Sequence, residues 1–157
     1  MTRLQRRHKT GLVSLACGGW HTVVSTTSGH LAAWGAGDSG QLGNGLQRDQ
    51  EVPSFVDNLN DVVSFAAGAR HTIACNGEGE LFAWGLNAYG ELGLGDREIR
   101  LVPQKVTALR RAFVTEVSAG AKHSVVLIRP ELLRAHEEPI LKQYFNIAFE
   151  DNDVVKQ

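Results

Sequence analysis

The chain has 157 residues, a net charge of −1 and 43% hydrophobic residues, a composition typical of an ordinary globular protein. It contains no apolar run approaching the ~20 residues that a membrane-spanning helix needs. Two cysteines, Cys17 and Cys75, are too few for a disulfide framework, and the segment after Met1 lacks the apolar core of a signal peptide. We therefore expect no membrane span and a cytoplasmic location, with the nucleus as the alternative.

The first eleven residues, 1–11, form a basic arm. No Asp or Glu precedes Asp38, whereas four cations lie between Arg3 and Lys9. Such arms bind phosphate backbones or act as nuclear addresses, but a solvated terminus or the end of an upstream repeat explains them as well. Because no stripe of Arg and Lys recurs along the chain, nucleic-acid or chromatin binding is not favoured and stays open only through this arm.

From residue 12 to residue 128 the sequence repeats itself. The segment GHLAAWGAGDSGQLG at 29–43 returns 50 positions later as GELFAWGLNAYGELG at 79–93, and Pro53 and Pro103 keep the same spacing. A second motif, GGWHT in its first copy, contains a histidine that recurs at intervals of 50 and 52 residues, as His21, His71 and His123. Self-similarity at a period of this size indicates a repeat architecture.

We divide this region into a half repeat at 12–27 and two full repeats at 29–76 and 79–128. Short apolar runs bounded by Gly, Asn, Asp and Ser predict strands. These runs lie at 13–16, 22–25, 30–34, 63–66, 72–75, 80–84, 117–119 and 124–128. Four short strands in about 50 residues match one blade of a β-propeller. The sequence therefore predicts an all-β fold of two to three four-stranded blades.

The recurrent tryptophans and glycines are interpreted as scaffold residues. Trp34 and Trp84 are expected to end an inner strand and to fill the space between blades, where a tryptophan buries ~150–250 Å². Glycine permits tight loops with positive backbone dihedrals. The glycines assigned to the scaffold are Gly35, Gly43, Gly85 and Gly93, and the loop leucines expected to point inward are Leu42 and Leu92.

The order of these motifs resembles the regulator of chromosome condensation repeat. In one copy the resemblance is carried by Trp34-Gly35, by GQLG at 40–43, by Pro53 and by GARHT at 68–72. In the next copy it is carried by Trp84-Gly85, GELG at 90–93, Pro103 and GAKHS at 120–124. The resemblance covers 12–128 and implies a propeller of the seven-bladed type. Members of this family act in guanine-nucleotide exchange on small GTPases, in chromatin binding and in partner recognition within ubiquitin ligases.

The length of the chain departs from this family pattern. Seven blades of about 50 residues need about 350 residues, whereas this chain has 157. Three explanations are open: a segment of a longer protein, which we favour, a ring completed by other chains, or an open stack capped by its own tail. An open stack would leave apolar blade faces exposed, and such faces are partner sites or aggregation liabilities.

The three histidines predict neither a metal site nor catalysis. Three histidines can bind zinc, but equivalent positions in successive blades are rotated apart. The resemblance makes this histidine a repeat-defining residue, and we expect it to brace its own turn. No Cys or Ser is paired with a histidine by spacing, and the loop at 35–45 lacks the Lys-Ser/Thr pair of a phosphate loop. We predict a non-enzymatic chain without catalytic, metal-binding or cofactor-binding residues.

Positions that vary within the repeat predict the partner surface, because loops carry function on a constant scaffold. One set precedes each recurrent histidine, and the other follows each GxLG motif. The candidates are Trp20, Arg70, Lys122, Arg48, Arg97 and Arg100. An exposed Trp20 beside Arg70 would form a binding hot spot, since Trp and Arg are enriched there. Ordinary solvated loops are the alternative.

The tail, 129–157, lacks the repeat motifs. Apolar residues recur at steps of three and four and predict a helix. They are Ile140, Leu141, Tyr144, Phe145, Ala148 and Phe149. This helix would begin a following domain, cap the last blade or dock a partner.

These patterns predict a protein–protein interaction module within a larger regulatory protein. Two alternatives remain: a guanine-nucleotide exchange factor for a small GTPase, and the partner-binding arm of a ubiquitin ligase. Exchange needs an element that protrudes toward the nucleotide site. The repeat spacings differ by only two residues, 50 against 52, so neither full repeat carries such an insertion.

Overall fold

The computed structural model describes residues 11–129 and the strand at 146–149, and this part of the chain is built from short strands. The strands are β1 (Leu12–Cys17), β2 (His21–Thr26), β3 (Leu31–Gly35), β4 (Gln50–Phe55), β5 (Val62–Ala67), β6 (His71–Asn76), β7 (Leu81–Gly85), β8 (Arg100–Lys105), β9 (Val114–Ala119), β10 (Ser124–Ile128) and β11 (Asn146–Phe149). One 3₁₀ turn, Thr107–Leu109, precedes β9. No helix in the described ranges is long and apolar enough to cross a membrane.

The strands form three sheets. The first has the order β1-β2-β3-β4 and the second the order β5-β6-β7-β8, with every neighbouring pair antiparallel. The third has the order β9-β10-β11. Two complete blades and a partial third confirm the predicted all-β propeller architecture.

Strands β4 and β8 contain the recurrent prolines, Pro53 and Pro103, and were absent from the strands predicted by the apolar runs. Each lies at the end of its sheet's strand order, bonded to one neighbour only. Proline cannot donate to a ladder and is tolerated on such edges. The pairing of β3 with β4 and of β7 with β8 also shifts register near this point, which leaves room for the missing donor.

The sheets are out of phase with the sequence repeat. The first sheet joins the half repeat, 12–27, to the strands around Trp34 and Pro53. The connection from β8 to β9 is two residues longer than that from β4 to β5, and it contains the 3₁₀ turn. These two residues account for the longer interval between the second and third histidines, so the inserted length lies away from the histidine turns.

Alternating side chains pack the three sheets face against face, as expected from the two-residue period of a strand. In β6, Ile73 faces the third sheet and Ala74 faces the first. The core between the first two sheets contains Val23, Leu31, Ala33, Leu42, Val56, Leu59, Val62, Ala74 and Trp84. The core between the second and third contains Ile73, Cys75, Leu81, Ala83, Leu92, Val106, Leu109, Val114, Val117, Val126 and Ile128.

Strand β1 is much more exposed than the equivalent strands of the following sheets. Leu12 is 59% exposed, whereas Val62, at the same position in the second sheet, is 9% exposed. Leu15 is 68% exposed, while Val117, its counterpart in the third sheet, is 7% exposed. The first strand of a sheet is therefore covered by the sheet that precedes it.

The helix predicted in the tail is wrong at residues 146–149. These residues form β11, which runs parallel to β10 from Asn146 opposite Val125 to Phe149 opposite Ile128. A free strand edge presents unpaired backbone groups, and pairing with it overrides a local helical pattern. The rest of the predicted helix, at 140–145, lies outside the described residues, as does the basic arm at 1–10.

Candidate interaction rim and the joints beneath it

Each buried histidine connects its own sheet to the next. His21 Nε2 lies 2.8 Å from Thr72 Oγ1, and the Thr72 hydroxyl donates to the carbonyl of Gln41 at 2.8 Å. Since the hydroxyl has one proton and gives it to the carbonyl, His21 must donate from Nε2. These hydrogen bonds therefore connect β2 of the first sheet to β6 of the second sheet, and β6 back to the loop between β3 and β4 of the first sheet.

We call this arrangement of histidine, hydroxyl and carbonyl a joint, and it recurs between the second and third sheets. His71 Nε2 lies 3.1 Å from Ser124 Oγ, and that hydroxyl donates to the carbonyl of Glu91 at 2.8 Å. His123 occupies the equivalent position in the third sheet and is exposed. A histidine of this type is therefore buried by the following sheet rather than by its own.

Both buried histidines are held neutral. Burial, followed by the nearby His71, lowers the pKa of His21 to about 4. Burial also lowers the pKa of His71, with the Glu91 carboxylate acting in the opposite direction and His123 adding to the lowering. The Nδ1 atoms of both rings are buried without a hydrogen-bond partner among the described residues, and a proton there would be unsolvated.

The histidine rings also lie close to the glycines of their own turns. A Cβ added to Gly18 would lie 2.7 Å from Cε1 of His21, and one added to Gly68 would lie 2.1 Å from Cε1 of His71. The turn can therefore hold only glycine at this position. The sequence-based interpretation gave this half of the arrangement and missed the hydrogen bond to the next sheet.

Trp84 completes the joint between the first two sheets. It is fully buried, and its Nε1–H donates to the Gln41 carbonyl at 3.0 Å. Gly43 has φ +69°, and a Cβ there would lie 2.6 Å from Trp84 Nε1. Both tryptophans lie one residue before the end of an interior strand, flanked on each side. Trp84 lies in the core between the first two sheets.

The candidate partner residues all lie at one edge of the sheets. The turns before β2, β6 and β10 and the loops from β3 to β4 and from β7 to β8 share this edge, because neighbouring antiparallel strands begin and end together. We call this edge the interaction rim, formed by 18–20, 68–70, 120–122, 36–50 and 86–100. It contains every predicted partner residue: Trp20, Arg70, Lys122, Arg48, Arg97 and Arg100.

The residues before the histidines reach back to the loop of the preceding sheet. Arg70 Nη1 lies 2.7 Å from Asp38 Oδ2. Lys122 Nζ donates to Tyr89 Oη at 3.0 Å and lies 4.3 Å from the centre of that ring. Trp20 has the same position in the first sheet and is 64% exposed.

The predicted hot spot of Trp20 beside Arg70 takes a different form. Their turns are adjacent, with Gly19 N donating to Gly68 O at 3.0 Å, but the Arg70 guanidinium pairs with Asp38. Hydrogen bonds, from Gln41 above all, and the Arg70 charge lower the pKa of that carboxyl. Trp20 is therefore a separate exposed aromatic residue on the rim.

The other rim cations differ in their contacts. Arg100 pairs with Asp96, and Arg97 Nη1 donates to the carbonyl of Ala88 at 3.3 Å. Arg48 is exposed. Sequence reasoning missed Asp38 and Tyr89, although both stand at positions that differ between the two copies of the repeated segment. That variability was the available signal.

The described residues do not bring together a metal site. No group of three His, Cys, Asp or Glu side chains in ranges 11–129 and 146–149 could hold an ion. An open cleft of about 470 Å³ separates the first two sheets near the edge opposite the rim. Half of its lining residues bear a hydroxyl, among them Ser14, Thr26, Ser28 and Ser64, and Asp61 is the carboxylate of the lining. None of the predicted partner residues lines it.

Comparison with known proteins agrees with this arrangement. A family model described as the regulator of chromosome condensation (RCC1) repeat matches residues 28–75 and 78–127, and a second model of the same description matches 12–41 and 62–91. The RCC1 domain-containing protein RUG3, mitochondrial, of Arabidopsis thaliana is 40% identical over 50 residues, which are 32% of this chain and 11% of that protein. The human E3 ubiquitin-protein ligase HERC2 is 38% identical over 48 residues, which are 31% of this chain and 1% of HERC2.

Solved structures share the fold. Yeast RCC1 (Prp20), in its complex with Kap60, superimposes with a TM-score of 0.68 at 24% identity, over 74% of this chain and 30% of that chain. Human WBSCR16 gives a TM-score of 0.64 at 31% identity, over 72% of this chain and 30% of that one. This chain thus spans less than a third of each solved chain. Since the first repeat model covers more than half of its residues, the chain belongs to the RCC1 repeat family.

Proposed function

We propose that this chain is the recognition segment of an RCC1-repeat propeller within a larger regulatory protein, and that it binds a protein partner through the interaction rim. One observation carries the proposal: the loop and turn residues that vary between repeats meet at a single edge. The larger parent protein is supported by the 30% share of each solved chain that this one covers.

The composition of the rim suits protein recognition. Its exposed apolar residues are Trp20, Leu46, Tyr89 and Ile99, at 64%, 40%, 59% and 40% exposure. Cations lie among them, and aromatic residues with arginine dominate binding hot spots. The joints beneath hold the loops in place, because the Gln41 and Glu91 carbonyls each accept a bond from the next sheet. A rigid loop loses less conformational entropy on binding.

Recognition is favoured over catalysis by the state of the histidines. A general base needs a free ring nitrogen within reach of a substrate proton. His21 and His71 each use Nε2 within a joint, and the remaining nitrogen, Nδ1, is buried out of reach of a substrate. Cys75 is buried as well, and burial raises the pKa of its thiol to about 11, which keeps it protonated and unreactive.

The test is partner capture with two charge-matched variants of the whole chain. The rim variant carries Arg48→Ser, Arg97→Ser and Lys122→Ser. The control carries Lys105→Ser, Arg110→Ser and Arg111→Ser at the opposite edge and loses the same charge. We expect a partner that binds the wild type and the control, but not the rim variant, and that repeats this pattern after purification. Equal binding to both variants would remove the rim from the proposal.

Two narrower functions remain as candidates. Prp20 of Saccharomyces cerevisiae, which has been studied for binding to Gsp1p and histones, shares the fold at 21% identity. This likeness makes nucleotide exchange on a small GTPase the first candidate. The match to HERC2 makes the partner-binding arm of a ubiquitin ligase the second candidate. Accelerated release of labelled GDP from purified GTPases by the parent protein would support the first. A ligase domain in the same transcript would support the second.

The location remains a prediction. We propose the cytoplasm, with the nucleus as the alternative, and a fluorescent fusion of the parent protein would distinguish them.

A further inference from the structure

We propose that the junction of the second and third sheets binds an acidic segment of the partner protein, through Lys122, Arg97 and the ring of Tyr89. This inference rests on the proposed function, because it specifies the chemistry that one part of the interaction rim recognises.

The internal repeat supplies the first argument. At the junction of the first and second sheets, Arg70 has an acidic partner, Asp38, at 2.7 Å. Lys122 is the counterpart of Arg70, and Ala88 occupies the position of Asp38. The second junction therefore keeps the cation but lacks the carboxylate that neutralises it in the first. A carboxylate from a partner would restore the missing pair.

The second argument is how Lys122 is held. Its ammonium lies 4.3 Å from the centre of the Tyr89 ring and donates to the Tyr89 hydroxyl at 3.0 Å. An ammonium has three protons to donate, and a cation over an aromatic face is held without losing its charge. Tyr89 is 59% exposed, whereas Ser39, its counterpart at the first junction, is buried. The second junction thus offers a positioned cation beside an exposed apolar ring.

Arg97 adds a second cation to the same place. Its Nη1 donates to the carbonyl of Ala88, the residue adjacent to Tyr89, at 3.3 Å. The ion pairs among the described residues join Arg70 to Asp38, Arg100 to Asp96 and Lys105 to Glu80. In that part of the chain, therefore, neither Lys122 nor Arg97 is ion-paired.

The acidic side chains nearby do not take the place of Asp38. Asp96 is paired with Arg100. Glu91 is buried, and its Oε2 accepts a bond from the Tyr89 backbone at 2.7 Å. Glu98 is a second exposed carboxylate of the same loop. Two cations at this junction do not make the continuous basic stripe that nucleic acid requires, but they suit one or two carboxylates next to an apolar side chain.

The test measures binding of a glycine-flanked Glu-Glu-Leu-Glu-Glu peptide to the ¹⁵N-labelled chain by chemical-shift titration. We expect the amides of 88–97 and 120–123 to shift. Ala88→Asp places the missing acid in the second junction and should weaken binding about twofold to fivefold, within the range for exposed charge pairs. Lys122→Gln should weaken it similarly. Gln47→Glu adds the same charge to the exposed loop of the first junction and should change affinity less than twofold.

Three results of the titration would overturn the inference. Equal weakening by Ala88→Asp and Gln47→Glu would mean that only net charge matters. Shifts centred outside the second junction would place the site elsewhere. Equal binding of a single-stranded oligonucleotide at this junction would assign it to phosphate. If the rim variant loses the captured partner while Ala88→Asp and Lys122→Gln both bind it as the wild type does, this inference fails and the proposed function stands. A partner that binds the rim variant as tightly as the wild type contradicts both this inference and the proposed function.

Discussion

Trp84 and Trp34 hold the same position in successive blades, yet their surroundings differ. Trp84 is fully buried against Gly43 and donates to Gln41, both on the loop of the first sheet. Trp34 lies on the other side of the first sheet, where it packs with Phe55, Val24 and Ala32 and remains partly exposed. The environment of this tryptophan is therefore supplied by the preceding blade and not by its own.

The largest expected effect comes from truncating the two tryptophans. Trp84→Ala removes a fully buried side chain and its hydrogen bond, and should lower the free energy of unfolding by about 3–5 kcal/mol. Trp34→Ala, at an incompletely covered site, should lower it by about 1 kcal/mol. Urea denaturation of the whole chain measures both. Equal losses would show that the blade interface does not decide the contribution of this residue.

Substituting two glycines of one loop distinguishes the cost of a steric clash from the cost of backbone strain. Gly43 and Gly45 have φ +69° and +77°, but a Cβ at Gly43 would meet the Trp84 indole, whereas at Gly45 the nearest atom is 3.8 Å away. A non-glycine residue in this backbone region costs ~1–2 kcal/mol. We expect Gly45→Ala to cost about 1 kcal/mol and Gly43→Ala about 3 kcal/mol. Thermal or urea unfolding tests the difference, and similar costs would mean that the indole moves away freely.

Acid should weaken the joint between the first two sheets. The pKa of His21 falls from 6.5 to about 4 in the folded chain, so between these values the unfolded chain binds more protons. Stability should therefore decrease as the pH falls from about 6.5 to about 4, by about 3 kcal/mol from this residue. Unfolding curves across this range measure the loss.

The two joints provide the control for this pH effect. The Glu91 carboxylate opposes the lowering of the pKa of His71, and Gln41 occupies the same place in the first joint. Gln41→Glu should raise the pKa of His21 and reduce the acid-dependent loss, whereas Glu91→Gln should increase the loss at the second joint. An unchanged pH profile for both variants would mean that these histidines do not control acid stability.

The smallest expected effect concerns the hydroxyl between His21 and Gln41. Thr72→Val leaves the His21 Nε2–H without an acceptor and should cost about 1–3 kcal/mol, because the donor stays buried. Thr72→Ser keeps the hydroxyl, as Ser124 does in the second joint, and should cost less than about 1 kcal/mol. Denaturation of the two variants measures how much the hydrogen bond from His21 to this hydroxyl contributes to the free energy of unfolding. A serine variant as unstable as the valine variant would assign the effect to the lost methyl group.

Local sequence patterns determined the repeat, the strand hairpins and the all-β class, because short apolar runs and glycine turns act within a few residues. They also identified His21 and Trp84 as scaffold. They failed for β4 and β8, where an edge position tolerates Pro53 and Pro103. They failed again at 146–149, where a helical pattern was overridden by pairing with β10.

The stacking of the sheets decided what no local pattern encodes. It placed Thr72, 51 positions along the chain, against His21, and it set Arg70 opposite Asp38 but Lys122 opposite Tyr89. Sequence determined which residues are constant and which vary, because composition and spacing are written along the chain. Only the tertiary structure determined which of them meet, because each blade completes the burial and hydrogen bonding of its neighbour rather than its own.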